Sequence, residues 1–138
     1  MNGILFLCVA NSARSQMAEG IALALLPPGV KVWSAGSRPT SVRPEAIAVL
    51  KEIGIDISHH RSKAVAEIAA AEVDTVITLC GEEECPLFLG KATRLHWGLP
   101  DPAAVAGTEA ERLASFRQVR DEIRRRIANT LVQIEPTA

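Results

Sequence analysis

The residues from Cys8 to Ser15 combine side chains that could bind an anion and attack it. Cys8 supplies a thiol, and Arg14 supplies a guanidinium, whose planar fork of donors suits a tetrahedral oxyanion. An apolar run precedes this stretch and a helical pattern follows it, which predicts a loop between a buried strand and a helix. A helix N-terminus favours anions, and a Cys beside Arg at such a place ionises readily. We therefore expect Cys8 to be a nucleophile within an anion-binding loop of Val9, Ala10, Asn11, Ser12, Ala13, Arg14 and Ser15.

Three polar side chains of this loop favour the nucleophile over the alternative, an inert Cys8 buried at a strand end. Asn11 tolerates left-handed backbone, which a loop that turns its amides inward requires. Ser12 and Ser15 add hydroxyl donors that can stabilise a thiolate.

Two further cysteines and one aspartate also stand where chemistry is expected. Cys80 ends an apolar run, and Cys85 follows after four intervening residues. That spacing is unusual for structural zinc, and a regular helix would hold the two sulfurs apart, so a disulfide between them requires a loop. Asp101 lies between two prolines that stiffen its loop. The residues alone leave open whether Asp101 is a general acid or caps a helix that begins at Pro102.

The elements that must position these residues alternate between strand and helix. Apolar runs predict strands over residues 3–9, 30–35, 75–79 and 93–97, and helical patterns predict helices over 15–26, 44–53, 64–71 and 108–134. This alternation predicts an α/β fold, with a four-stranded parallel sheet covered by helices on both faces, in one domain over residues 1–138. Sites in such sheets lie beyond the carboxyl ends of the strands, where Cys8, Cys80 and the Asp101 loop all fall.

Two smaller patterns complete these expectations. The first helix has an apolar face formed by Met17, Ala18, Ile21, Ala22 and Leu25. His59 and His60 are adjacent on a loop, so their rings point in different directions, and no Cys or carboxylate cluster lies nearby in sequence. A structural hydrogen bond of His60 is therefore favoured over a metal site, and we expect no metal.

The composition limits the classes of protein to which the chain can belong. It has 138 residues, of which 48% are hydrophobic, enough for one domain with its own core. A formal net charge of −1 gives no reason to expect nucleic acid or a membrane surface as a partner. No apolar run is long enough to span a membrane, and no signal peptide is recognisable. Three cysteines fit a reducing cytoplasm better than a secreted disulfide framework.

Several of these stretches resemble the thioredoxin-coupled arsenate reductase branch of the low-molecular-weight tyrosine phosphatase superfamily. The likeness starts with the loop from Cys8 to Ser15 and covers nearly the whole chain. It continues through residues 34–36, 54–58 with His60, 78–80 and 96–102. The resemblance implies a phosphate-binding loop after the first strand and an oxidoreductase of arsenic detoxification. It further implies thioredoxin as external reductant and no bound cofactor.

The same resemblance implies a relay of three thiols in a cytoplasmic enzyme that we expect to be a monomer. Arsenate, with phosphate as competing oxyanion, would bind in the loop, where Cys8 attacks it while Asp101 protonates the leaving oxygen. Cys80 then attacks Cys8 and arsenite departs. Cys85 attacks Cys80, and thioredoxin reduces the resulting disulfide. The spacing from Cys80 to Cys85 is a little shorter than in related reductases.

A low-molecular-weight protein tyrosine phosphatase is the main alternative, and a non-enzymatic oxyanion-binding or redox-sensing module is another. A phosphatase needs Cys8, Arg14 and Asp101 but neither later cysteine, so weak phosphatase activity is expected beside reduction. Ala103 provides no aromatic surface for phosphotyrosine. The later cysteines therefore favour the reductase.

The resemblance also concerns the support of the loop. Potassium-binding members of the superfamily hold a cation behind the loop with residues that match Asn11, Glu19 and Ser34, together with a carboxylate. Lys63 stands at or near the position of that carboxylate. An ammonium group is a compact cation with three donors, so Lys63 could replace the metal ion and pair with Glu19. An exposed lysine at the start of a surface helix is the alternative.

Overall fold

The computed structural model describes residues 2–81 and 90–132, and within them the strands form one parallel sheet. The strands are β1 (Gly3–Cys8), β2 (Lys31–Gly36), β3 (Thr75–Thr78) and β4 (Thr93–His96), in the spatial order β2-β1-β3-β4. All six residues of β1 are buried, because this strand has a neighbour on each side and a covered surface above and below. The predicted four-stranded parallel sheet is confirmed.

Three α-helices lie in the described part of the chain: α1 (Arg14–Leu25), α2 (Pro44–Lys51) and α3 (Glu109–Arg126), which continues as a π-helical stretch (Ile127–Val132). The fixed φ of Pro44 suits the first position of α2, and Gly54 follows the helix with a φ of +80°. All three helices pack against one face of the sheet. None of the described helices combines the length and apolar character needed to cross a membrane.

Two expectations about the helices are wrong. The stretch 64–71 contains no α-helix, and two 3-10 turns, Val65–Glu67 and Ala70–Glu72, stand in its region. Neither turn has a fully buried residue, so too little buried surface is available to offset the cost of nucleating a longer helix. Leu25 was expected on the buried face of α1 but is 37% exposed. Leu26, extended at the helix end, fills the core in its place.

Both faces of the sheet are covered, and β1 contributes alternate side chains to each. Ile4 and Phe6 join the larger core beneath the α-helices, whereas Leu5 and Leu7 join a smaller core on the other face. Val65, from the first 3-10 turn, packs against this smaller core. The layered arrangement is as predicted, but the described cover of the second face consists of 3-10 turns.

The predicted site segments leave the sheet at one edge. β1 ends at Cys8, β3 ends two residues before Cys80, and β4 ends five residues before Asp101. Since the strands are parallel and paired in register, their carboxyl ends lie side by side. The fold therefore gathers the three segments before any side-chain contact is considered.

A network of ion pairs joins the end of α2 to α3. Glu52 accepts hydrogen bonds from Arg117 and Arg120, each at 2.8 Å. Arg120 is 8% exposed and also donates to the carbonyl oxygen of Val49 at 2.8 Å. The hydrogen bonds from Arg117 and then from Arg120 lower the pKa of Glu52 to about 2. The Glu52 carboxylate therefore stabilises the contact between these helices while it stays ionised.

We expect acid to weaken this contact. Because the folded pKa of Glu52, about 2, lies below its ordinary value of 4.5, its stabilisation is present above 4.5 and is lost as pH falls toward 2. Glu52→Gln should lower the Tm at neutral pH and make the Tm less dependent on pH below about 5, as followed by circular dichroism. Glu109→Gln, at the exposed start of α3, is the control. An unchanged pH dependence in Glu52→Gln would contradict this role.

Candidate active site

A pocket of about 180 Å³ opens at the carboxyl edge of the sheet. Its lining residues are Cys8, Val9, Ala10, Ser12, Ala13, Arg14 and Asp101. The structure thus brings the predicted nucleophile, the predicted guanidinium and the candidate acid to one cavity. These residues are far apart in sequence but close in space, because the loop after β1 and the loop after β4 leave the sheet at the same edge.

The start of α1 presents backbone donors to this pocket. Its N-cap residue, Ala13, has no side chain that can accept a hydrogen bond from the first turn. Within the described part of the chain, the N–H groups of residues 10–13 have no hydrogen-bond acceptor. Ala13 is only 3% exposed, and buried N–H groups without partners are rare in proteins. Together with the helix dipole, these donors suit an anion in the pocket.

Asn11 shapes the loop from inside. It is fully buried and has a φ of +48°, which confirms the left-handed backbone expected there. Its Oδ1 accepts the backbone N–H of Lys63 at 2.8 Å and the Nε2 of Gln16 at 2.9 Å. Its Nδ2 donates to the Oγ of Ser15 at 2.7 Å. Because Oδ1 is held by two donors, the amide of Asn11 can face Ser15 only with its N–H groups.

The thiol of Cys8 lies at the end of these hydrogen bonds. Its Sγ is 2.8 Å from the Oγ of Ser15, and Cys8 is 2% exposed. Because Asn11 donates to the same Oγ, the hydroxyl proton of Ser15 is available to the sulfur. The thiolate is the nucleophilic form of cysteine, and the hydroxyl of Ser15 is placed to donate a hydrogen bond to it. The arrangement therefore prepares Cys8 to attack the central atom of a bound oxyanion.

Arg14 connects the pocket to the two neighbouring strand ends. The side chain is 4% exposed, and its Nη1 donates to the carbonyl oxygen of Leu99 at 3.0 Å. The same atom lies 3.5 Å from the carbonyl oxygen of Leu79, a longer and weaker contact. Leu79 directly precedes Cys80, and Leu99 lies in the loop of Asp101. One guanidinium therefore contacts both segments that carry the other predicted residues.

Asp101 has a structural contact and also lines the pocket. Its Oδ1 accepts the N–H of Ala103 at 3.0 Å and so caps the 3-10 turn Pro102–Ala104. The capping role that the sequence left open is confirmed. A carboxyl group has two oxygens, so capping by one leaves the other for a group bound in the pocket beside Cys8.

The second cysteine lies next to the pocket and not in its lining. Cys80 is fully buried and disulfide-bonded, whereas Cys8 is a free thiol. The disulfide of Cys80 is therefore not with Cys8. The third predicted cysteine, Cys85, lies outside the described residues.

His60 makes the structural hydrogen bond that was predicted for it. Its Nδ1 donates to the Oε1 of Gln16 at 3.1 Å. Burial lowers the pKa of His60, against the opposite effect of the Glu19 carboxylate, so the ring is neutral at neutral pH. Across residues 2–81 and 90–132, no group of three or more His, Cys, Asp or Glu side chains could hold a metal ion.

Two contacts that hold the loop in place have no clear signal in the sequence. The Oγ of Ser62 donates to the carbonyl oxygen of Ala10 at 2.9 Å, across 52 positions of the chain. At Gly36, a Cβ atom would lie 2.4 Å from the carbonyl oxygen of Val9, so only glycine allows this close approach. Local spacing cannot indicate such distant contacts, although the glycine that ends β2 was a usable hint.

The sequence matches the low molecular weight phosphotyrosine protein phosphatase family over residues 3–137. The chain belongs to this family. It is 46% identical over 126 residues to an arsenate reductase of Halalkalibacterium halodurans, which covers 90% of this chain and 91% of that protein. A solved arsenate reductase in the phosphate-binding state is 36% identical and has a TM-score of 0.81. The match covers 98% of this chain and 100% of that chain. A solved thioredoxin-dependent arsenate reductase of Corynebacterium glutamicum is 27% identical to this chain and has a TM-score of 0.71. That match covers 99% of this chain and 64% of the other chain.

In this member of the phosphatase family, Lys63 lies behind the anion loop. Its Nζ is 3.6 Å from the Oε1 of Glu19 and 3.1 Å from the carbonyl oxygen of Arg61, and its side chain is 16% exposed. The same Oε1 accepts the Oγ of Ser34 at 2.5 Å. The ammonium group therefore lies among the groups that would hold a cation. We propose that Lys63 takes the place of a bound metal ion here and supplies the charge that supports the loop.

We expect potassium and sodium to give this protein the same Tm. Lys63→Ala should lower stability by about 1–3 kcal/mol, because it leaves the carboxylate of Glu19, 13% exposed, without the positive charge beside it. Lys31→Ala is the control, since its pair with Glu72 is exposed and should contribute at most about 1 kcal/mol. Lys63→Asp should create a Tm that rises with potassium. Thermal unfolding in the two salts decides, and a potassium-dependent Tm of the unmodified protein would refute the substitution.

Proposed function

We propose that this protein reduces arsenate to arsenite, with Cys8, Cys80 and Cys85 as a thiol relay that thioredoxin regenerates. The observation that carries the proposal is a second buried cysteine at the neighbouring strand end, disulfide-bonded while Cys8 is free. Phosphoryl transfer has no use for such a cysteine. Arsenate reductases that match this chain along most of its length support the choice, and the thioredoxin-dependent one supports the reductant. The proposed setting is the cytoplasm, with the protein acting as a monomer.

The first step takes place in the pocket. Arsenate is a tetrahedral oxyanion like phosphate, so its oxygens would accept hydrogen bonds from the open N–H groups of the loop and from Arg14. The thiolate of Cys8 attacks arsenic and forms a sulfur–arsenic bond. A hydroxyl group of arsenate takes a proton from Asp101 and leaves as water. Arsenic remains pentavalent at this stage, because substitution at arsenic transfers no electrons.

The second step carries the reduction. The thiolate of Cys80 attacks the sulfur of Cys8, so that a sulfur–sulfur bond forms as the sulfur–arsenic bond breaks. The electron pair of the broken bond stays on arsenic, which leaves as arsenite, and the two thiols have together lost two electrons. The Nη1 atom of Arg14 lies 3.5 Å from the carbonyl oxygen of Leu79, so the anion site is close to the residue before Cys80.

The last steps restore the enzyme. Cys85 attacks Cys80, which frees Cys8 and moves the disulfide away from the pocket. A disulfide at Cys80 beside a free Cys8 is the combination that the relay has after this exchange. An external dithiol, for which we propose thioredoxin, then reduces the disulfide. Cys8 is thus available again without its own sulfur having met the external reductant.

Phosphatase activity is the second candidate function, because the pocket holds what phosphoryl transfer needs. Cys8, Arg14 and Asp101 line one cavity, and the family as a whole is named for this chemistry. The residues that line the described pocket include no aromatic ring that could stack on phosphotyrosine. We therefore propose slow hydrolysis of small aryl phosphates as a side activity.

The three cysteines predict three different failures in an assay of arsenite formation with thioredoxin, thioredoxin reductase and NADPH. Cys8→Ser should abolish all activity. Cys80→Ser should stop arsenate reduction but retain hydrolysis of an aryl phosphate. Cys85→Ser should make about one arsenite per enzyme and stop as a Cys8–Cys80 disulfide, detectable by non-reducing mass spectrometry. Repeated turnover by Cys85→Ser would remove Cys85 from the relay, and hydrolysis without any reduction by the unmodified protein would leave only the phosphatase.

The role of Asp101 can be separated from its capping contact. Asp101→Asn keeps an oxygen that can accept the N–H of Ala103 but cannot donate a proton as an acid, so the fold should be retained. Hydrolysis of an aryl phosphate with a poor leaving group should slow by roughly 10²–10⁴, the usual contribution of a general acid. An activated ester with a good leaving group is the control and should be affected less. If Asp101→Asn and the unmodified protein hydrolyse the ester with the poor leaving group at equal rates, Asp101 serves only as a cap and not as a general acid.

A further inference from the structure

Two exposed arginines lie beside the pocket and have no assigned role. The segment that carries them runs along the anion loop, because Arg38 N–H donates to the carbonyl oxygen of Val9 at 2.9 Å and Arg43 N–H donates to that of Ser12 at 2.9 Å. Val9 and Ser12 are pocket-lining residues. The backbones of both arginines are therefore one hydrogen bond away from the wall of the pocket.

Their charges are not used by the described part of the protein. Several other surface arginines pair with carboxylates, as Arg61 does with Glu67 and Arg125 with Glu122. Neither Arg38 nor Arg43 has an ion pair or a side-chain hydrogen bond with any residue among 2–81 and 90–132. The segment that is hydrogen-bonded to the pocket wall thus carries two guanidinium groups with no partner among these residues.

Arg43 stands at a position where its residue type is unfavourable for folding. It is the N-cap residue of α2 and makes no capping hydrogen bond with its side chain. Ser, Thr, Asp and Asn are the residues that stabilise this position, and a cation near a helix N-terminus opposes the helix dipole. A residue that lowers the stability of α2 at its N-cap suggests a function other than folding. The neighbouring pocket is a place where a cation would be useful.

The pocket itself has no surplus of positive side-chain charge. Arg14 is the one cationic side chain among the residues that line it, as described, and Cys8 as thiolate cancels that charge. Asp101 adds either nothing or a negative charge, depending on its proton. A dianionic oxyanion therefore gains only the partial charge of the α1 N-terminus and its amides, about half an elementary charge. Additional cations at the entrance would make the pocket more favourable for a dianion relative to bulk water.

We propose that Arg38 and Arg43 form a cationic rim that concentrates oxyanions at the pocket and lowers the KM for arsenate. This inference rests on the proposed function for the identity of the substrate. The rim acts through the electrostatic potential and not through contact with the reacting atoms, so both arginines are positioning residues. Long-range attraction of this kind is screened by salt, since the Debye length falls from about 30 Å at 0.01 M to about 10 Å at 0.1 M.

The kinetic test compares charge-neutralising variants at two salt concentrations. Arg38→Gln with Arg43→Gln in one protein should raise the KM for arsenate roughly three- to tenfold at about 0.01 M salt, with kcat unchanged, and far less at about 0.5 M. Arg124→Gln is the matched control, because Arg124 is exposed on α3 and none of the residues of that helix lines the pocket. A KM that stays the same at low salt, or rises as much in Arg124→Gln, would overturn the rim.

A second measurement does not depend on arsenate reduction. Alkylation of Cys8 in the fully reduced protein, followed by peptide mass spectrometry, is compared for anionic iodoacetate and neutral iodoacetamide. The double variant should lower the iodoacetate rate about two- to fourfold relative to the iodoacetamide rate at low salt. An unchanged ratio would refute the rim. The double variant could lose the preference for iodoacetate while the unmodified protein shows no arsenate reduction. That result would refute the proposed function but support the rim.

Stability separates the rim from a structural role for Arg43. Arg43→Ser provides a favourable N-cap for α2 and should raise the Tm by about 2–5 °C while it raises the KM for arsenate. A lower Tm would mean that Arg43 stabilises the fold and would count against the proposal.

Discussion

The amide of Asn11 is the contact on which the site depends. Its left-handed backbone, φ +48°, turns the loop, and its side chain binds Lys63 and Gln16 through oxygen and Ser15 through nitrogen. Glycine would permit the same backbone but would lose all three hydrogen bonds. Aspartate would keep the acceptor, yet it has no donor for Ser15 and would place a negative charge near the thiolate of Cys8. Asparagine alone among these residues meets the requirements of conformation, donor and acceptor together.

This requirement explains why so much of the chain supports one loop. Ser62 and Gly36 come from distant segments of the chain. Ser62 donates a hydrogen bond to a loop carbonyl, and the backbone of Gly36 closely approaches another. Arg14 extends the same support to the ends of the neighbouring strands. A loop whose N–H groups must stay unpaired for a ligand cannot be stabilised through those groups, so its carbonyls and side chains make the stabilising contacts instead.

The sequence predicted the parts of the fold that depend on local pattern. The unbroken apolar run of β1 and the alternation of strands with helices were sufficient for the sheet, and the sheet places Cys8, Cys80 and Asp101 at one edge. Pattern failed at residues 64–71, where alanine content suggested a helix but no buried face exists to stabilise one. It also could not show that Asp101 both caps a turn and lines the pocket, because the second contact depends on tertiary structure.

The three helix N-termini show how stability is distributed around the site. The N-cap of α3 is Thr108, which forms a capping box: Thr108 accepts the N–H of Glu111 and Glu111 accepts that of Thr108. The N-caps of α1 and α2 are Ala13 and Arg43, and neither makes a capping hydrogen bond with its side chain. A cap contributes about 0.5–2 kcal/mol, so both helices beside the pocket lack a stabilisation that the third has. A cap on α1 would fill the donors that an oxyanion needs, whereas a carboxylate cap on α2 would repel the oxyanion. Under the proposed function, a bound oxyanion explains the missing cap on α1, and the proposed cationic rim explains why α2 has Arg43 in place of a capping residue. By contrast α3, which lines no part of the described pocket, carries a cap.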